Sequence, residues 1–376
     1  MANMNIRTPV FYPDRIRHQR GRGGAIASII TGSDLIDFQT GSISTLHNGK
    51  PLDLCTFNTS ASSFSKLDHV LFNYNMGTDQ WRTTFITILN HNLHSCNGKF
   101  RIFVGSSADE INDVNGASAL ENSFSAGTDD EGNPEGVNYT PVEVVNADSI
   151  VKSSNGKSIH VHPSSDGTTI IKIVKTSDSS DFTGFRFIGI QFEGDSSSSD
   201  TSSSGSFNTT DLTLGGIEIG EVYTMPVSPD LNVKRSIIYD KTSIQESLGG
   251  QRYATKTSTG RTATTTSKSP FTTSSYSQYV FGGRIAYDLS FSYLQSSDIM
   301  PTEYGIIDYT NDSFVQDVWN MTDGNLHPFV FSIDSASTGS NAESEFIYAR
   351  FAQDSLEMDQ VAPDVFNISL KIEEEF

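Results

Sequence analysis

Cysteine is nearly absent: Cys55 and Cys96 are the only two in 376 residues, and neither sits in a C-x-x-C arrangement. That is too few for a disulfide framework. Charge is sparse and one-sided, with charged residues at 19%, hydrophobic residues at 36%, and 25 Lys and Arg against 45 Asp and Glu for a net charge of −20. Such a field repels phosphates and argues against nucleic acid as a partner of the whole chain. No apolar run approaches the ~20 residues of a membrane span, and no basic-then-apolar leader opens the sequence. The expectation is a protein made and folded in a cytoplasm, without membrane insertion.

Catalytic signatures are missing too. There is no G-x-S-x-G elbow, no G-x-x-x-x-G-K-[ST] loop, no dinucleotide fingerprint after a strand and no H-E-x-x-H. The glycine-rich "GRGGAIASIITGSD" (21–34) lacks the preceding strand and the lysine that phosphate binding needs. Among 45 acidic residues no carboxylate pair stands out for sugar hydrolysis. The chain is therefore expected not to be an enzyme.

What is abundant is Phe (24) and Tyr (13), with Ser, Thr, Asn and Gly. Aromatic and β-branched residues fill sheet faces while small polar residues fill turns, so the composition suits many short strands. Period-two alternation bears this out in "FITILN" (85–90), "KFRIFVG" (99–105), "TTIIKIVK" (168–175) and "FTGFRFIGIQFEG" (182–194). "GRIAYDLSFSYL" (283–294) places Ile285, Tyr287, Leu289, Phe291 and Tyr293 on one face. "DVFNISLKIEEEF" does the same with Phe366, Ile368, Leu370 and Ile372, and its acidic end reads as that of an edge strand. Ser297 and Asp298 ahead of Pro301 read as the cap of one short helix. The expected fold is all-β: two antiparallel β-sandwich domains of jelly-roll or discoidin-like type. The first spans 25–228 with an inserted polar loop at 105–165, and the second spans 229–376, the boundary falling near 225–232 where Pro226 and Pro229 interrupt the strand pattern. Residues 247–278 are almost free of apolar side chains and read as an extended arm or long hairpin that orders against neighbours.

Three segments carry candidate sites. Residues 1–24 hold Arg7, Arg15, Arg17, Arg20 and Arg22 with His18, either a solvated tail or an arm for an acidic partner surface such as a second copy of this acidic chain. "HNLHSCNG" (91–98) gathers His91, Asn92, His94, Cys96 and Asn97. It lies between two strands and ends in Asn-Gly, which favours a tight connection over a metal or nucleophile site. Zinc would need further ligands, for which His160 and His162 in "IHVHP" are the candidates. In "SAGTDDEGNPEGVN", Asp129, Asp130 and Glu131 could offer oxygens to Ca²⁺, though the spacing matches no EF-hand and a solvated acidic loop is favoured. No cofactor is expected. Trp81, Trp319 and Tyr304 are conceivable platforms for stacking on sugar rings.

"ITILNHNLHSCNGKFRIFVGSS" resembles the N-terminal sandwich of tail-associated virion proteins of tailed bacteriophages, in which an "NHNL"-like turn leads into a strand and a "GSS"-like exit. "GGIEIGEVYTMPVSPDL" is similar to the end of that first domain, and "FGGRIAYDLSFSYLQSSD" with the terminal "FNISLKIEEEF" to the second. These pieces cover about a quarter of the chain, and their order makes the match. The resemblance implies a structural role in the virion tail, at a baseplate, tail tip or fibre attachment. It also implies partners that are copies of the chain and other virion proteins, and release by lysis. A carbohydrate-binding adhesion module acting on host surface glycan, through the loops at 91–97 and 129–136, is the alternative. A capsid decoration or head–tail joining protein is the third.

Overall fold

The computed structural model describes residues 6–20, 26–31, 35–60, 69–76, 84–105, 127–128, 134–135, 139–152, 158–175, 187–197, 205–238, 242–256, 271, 284–303, 312–336 and 345–375. The chain is all-β, and every ladder between its strands is antiparallel. Three sheets stack as layers. A six-stranded sheet runs in the order Ala147–Lys152, Ser158–Pro163, Gly98–Gly105, Phe187–Gly194, Val70–Asn75, Ile26–Ile30. A four-stranded sheet follows as Tyr139–Val145, Gly167–Lys175, Phe85–His91, Gly216–Gly220. The large sheet runs from Tyr223–Thr224 through Val10–Pro13, Phe329–Ser332, Phe346–Phe351, Val365–Glu374 and Arg284–Gln295 to Lys234–Ile238, with Met358–Ala362 paired to Val365–Glu374.

Alternation decides which layer each side chain joins. In Phe85–His91, Ile86 and Ile88 enter the core shared with Phe72, Phe100, Ile102, Ile190 and Phe192 of the six-stranded sheet. Phe85 and Leu89 point the other way, onto Val10, Tyr12, Val330 and Tyr348 of the large sheet. The middle strand is thus buried throughout, which explains its near-continuous apolar run. The far face of the large sheet packs Phe11, Phe331, Tyr287, Leu289 and Phe351 against the helical turn Val315–Trp319.

The described part of the segment expected as a basic arm, residues 6–20, is built into this body. Its apolar stretch, Val10–Pro13, forms ladders with Tyr223–Thr224 and with Phe329–Ser332, so the first strand of the chain belongs to the sheet made mainly by the last third. The helix Arg15–Arg20 then buries Arg15 and Arg17. The four-stranded and large sheets share a core, and the expected boundary at 225–232 falls between Tyr223–Thr224 and Lys234–Ile238, which are both strands of the large sheet. The expected loop at 105–165 is also partly regular: Tyr139–Val145, Ala147–Lys152 and Ser158–Pro163 are strands, because Val144, Val145, Ile159 and Val161 supply apolar positions for two sheets.

Two smaller expectations fail for local reasons. Tyr293 leaves the face of Ile285, Tyr287, Leu289 and Phe291: a bulge after Phe291 gives Tyr293 a φ of 61°, leaves it 76% exposed and brings Leu294 into the core instead. The terminal strand Val365–Glu374 is interior rather than an edge, and Glu374 is buried, accepting a hydrogen bond from the Ile285 N–H at 2.9 Å. The short helix lies at Ser296–Ile299, where the Asp298 carboxylate accepts from the Gln295 N–H at 3.0 Å. No helix among the described residues is long and apolar enough to cross a membrane.

Candidate functional site

The connection His91–Asn97 is a tight structure in its own right. Asn97 takes a φ of 57°, and the Gly98 N–H reaches back to the Leu93 carbonyl at 2.7 Å. His91 is buried: its Nδ1 accepts from the Leu93 N–H at 3.2 Å, so Nε2 carries the proton and donates to Thr169 Oγ1 at 2.8 Å. Asn92 clamps the neighbouring strand, donating to the Asp211 carbonyl at 2.8 Å and accepting from the Thr213 N–H at 2.7 Å. Burial raises the Cys96 thiol to about 12, an inert state. From this connection His94 and Asn97 face a pocket.

That pocket, of about 420 Å³, is where the two histidine segments meet. Leu93, His94, Asn97 and Gly98 line one side, His162, Pro163 and Ser164 another, and Asp148 and Asp195 close it. His162 Nδ1 donates to Asp195 Oδ2 at 2.9 Å, a histidine–carboxylate pair that the sequence did not reveal because Asp195 opens a serine-rich run. His162 Nε2 has no hydrogen-bond partner among the described residues, so no hydroxyl is presented to it for activation. Nor is any group of three or more His, Cys, Asp or Glu among the described residues placed to hold a metal ion.

His160 and His162 share the outer face of the six-stranded sheet, as alternation requires. His160 joins a buried cluster around Glu193, in which Lys99 Nζ lies 3.6 Å, His160 Nδ1 3.4 Å and His69 Nδ1 4.0 Å from its carboxylate oxygens. Burial lowers the pKa of His160 despite the pull of Glu193, so the ring is neutral near pH 7.

The arginines divide. Arg17 is enclosed: Nη2 reaches Glu218 Oε1 at 3.2 Å and Asp14 Oδ2 at 3.5 Å, Nη1 donates to the Pro328 carbonyl at 3.1 Å, and Nε donates to the His47 carbonyl at 3.4 Å. Tyr348 completes the group by donating to Glu218 Oε1 at 3.0 Å. Burial raises Glu218 to about 8 and raises Asp14 as well, because one guanidinium cannot compensate two enclosed carboxylates. Arg20 donates to the Ile43 carbonyl at 3.3 Å, and Arg7 is exposed beside Asp334 at 3.8 Å. Arg22, Asp129, Asp130 and Glu131 lie outside the described residues.

One element stands apart from all three layers. Among the described residues, Thr242–Glu246 and Arg252–Lys256 form ladders only with each other, closed by a turn at Gly250 with φ of 79°. Ile244 is 69%, Leu248 112% and Tyr253 56% exposed. Lys234–Ile238, just before it, is an end strand of the large sheet with Ile237 at 61% exposure. This ribbon lies at and before the start of the segment expected as an extended arm or long hairpin. Around it the charge balance inverts. Residues 234–268 carry seven basic side chains (Lys234, Arg235, Lys241, Arg252, Lys256, Arg261, Lys268) and two acidic ones (Asp240, Glu246) in a chain of net −20.

Compared with family models, with curated proteins and with solved structures, the chain matches none.

Proposed function

We propose that this chain is a non-catalytic structural subunit of a tailed-phage virion, most simply of its tail, and that it acts by assembling with copies of itself and with other virion proteins. The virion part rests on the sequence resemblance. The assembly part rests on the ribbon Thr242–Lys256. A two-stranded hairpin is marginal in water by itself, and one that exposes Ile244, Leu248 and Tyr253 is stabilised by burying them elsewhere. The surplus of basic residues over 234–268 fits the acidic body of a second copy, which favours a self-assembly contact over a contact with a basic surface. Lys234–Ile238, an end strand of the large sheet among the described residues, adds the exposed Ile237 to the same apolar surface. Buried as it is, Arg17 belongs to the fold of the subunit and not to its docking surface.

Gold labelling of purified particles with an antibody against this chain tests the location. Label at the tail supports the proposal, and label on the head moves the chain to a decoration or joining role. A chain found only in the soluble fraction of the lysate removes the virion reading.

A further inference from the structure

A second pocket, of about 430 Å³, opens at the far side of the large sheet and plays no part in the contacts above. It is lined by Trp319, Asn320, Asp323, Gly324, Asn325 and Asp354. From this geometry we infer that it is a saccharide-binding subsite, which takes a single neutral pyranose ring against the Trp319 indole.

The indole is half-buried, held from behind by Phe351 at a ring distance of 5.1 Å. The turn after it is fixed. The Gly324 N–H bonds to the Trp319 carbonyl at 2.9 Å and the His327 N–H to the Thr322 carbonyl at 2.8 Å, while Arg350 donates to the carbonyls of Asn325 and Leu326. Gly324 has a φ of 67°, and a Cβ there would sit 3.5 Å from indole Cζ2. A side chain at this position would cover the ring, and glycine leaves it open. Around this apolar wall stand two carboxamides and two carboxylates. Asn325 Nδ2 donates to Asp354 Oδ1 at 2.8 Å, and Asp323 Oδ2 lies 3.3 Å from His327 Nε2. The orientations of Asn325, Asp354 and Asp323 are therefore set before any ligand arrives.

The ligand follows from these walls. It needs an apolar face for the indole and a rim of hydroxyls that both donate and accept, since carboxylates accept while carboxamides do both. A pyranose ring has that shape, and the volume falls within the roughly 300–1,000 Å³ of small-ligand pockets. No Lys or Arg is among the described residues that line the pocket, which disfavours an anionic ligand. An alkylammonium is the competing guest for indole and carboxylate, but one ring makes a poor cage.

The experiment uses the full chain with Trp81→Phe, which leaves Trp319 as the only indole. Methyl pyranosides of glucose, galactose, mannose and N-acetylglucosamine are titrated in the presence of EDTA, with choline as the competing probe and the indole N–H resonance as readout. The expected result is a saturable shift with at least one pyranoside at Kd of about 1 mM, and tighter binding of an oligosaccharide of that sugar if the natural source is a glycan chain. Asp354→Ala and Asn325→Ala, both at exposed positions, should each weaken it about tenfold without loss of fold. No saturable response to any pyranoside, a response that both variants leave unchanged, or a response to choline alone would overturn the inference.

Discussion

Replacing Arg17 with methionine keeps the length of the side chain and removes its charge. Asp14 and Glu218, both fully enclosed, would lose the guanidinium that faces them, and the Pro328 and His47 carbonyls would each lose a donor. Removing one partner from a buried ion pair costs about 3–5 kcal/mol, a large part of the ~5–15 kcal/mol that holds a typical domain together. The loss should also depend on pH. Glu218 is raised from 4.5 to about 8 in the folded protein, so between those values the folded state holds a proton that the unfolded state has released. Stability is fully present below about 4.5 and declines as pH rises toward 8, by on the order of 5 kcal/mol in all. Arg17→Met should widen that decline, since nothing then offsets the ionised carboxylates, whereas Glu218→Gln should flatten it. The glutamine carbonyl still accepts from Tyr348. Urea unfolding at pH 5, 7 and 9 for wild type, both single variants and the double variant measures all of this, and the double variant should recover part of the Arg17→Met loss. A cost below about 1 kcal/mol for Arg17→Met at pH 9, or a pH profile that Glu218→Gln does not change, would refute the account of a charged core between the layers.

His91→Ala should cost about 1–3 kcal/mol because it leaves Thr169 and the Leu93 N–H without their buried partner, while His94→Ala, at an exposed position, should stay within about 0.5 kcal/mol; thermal unfolding separates the two. Phe85→Ala should cost about 3–5 kcal/mol in urea unfolding, because the ring fills the contact between the middle sheet and the large sheet, edge-on to Tyr12 at 5.3 Å.

Strand content was legible because alternation of apolar residues is a local signal, and segments such as 85–90 and 99–105 emerge as strands. Layering was not. Phe85 and Ile86 look equally apolar in sequence, and only the third layer explains why both are buried. The N-terminal segment misleads because its arginines dominate its composition, yet the apolar Val10–Pro13 and the acidic partners Asp14 and Glu218 decide its place. Glu218 lies about 200 residues away, and no spacing rule links it to Arg17. His94 and His162 were visible as unusual residues, and their meeting in one pocket depends on a sheet register that the sequence does not encode locally. The ribbon's position was half legible. Low apolar content marked a segment that needs a neighbour, but the paired strands fall at Thr242–Lys256, where Ile244 and Tyr253 supply the residual strand character.

The claim at the centre of this account is that the subunit assembles through the ribbon, and the most direct measurement is its mass in solution by sedimentation equilibrium. The chain alone is 41.0 kDa. Wild type should form a defined oligomer whose association weakens with added salt, and Ile244→Ser with Leu248→Ser should return it to the mass of one chain with folding stability changed by no more than about 0.5 kcal/mol each. A wild-type protein that sediments as a single chain at all concentrations, or an oligomer that the double variant leaves intact, would contradict the claim.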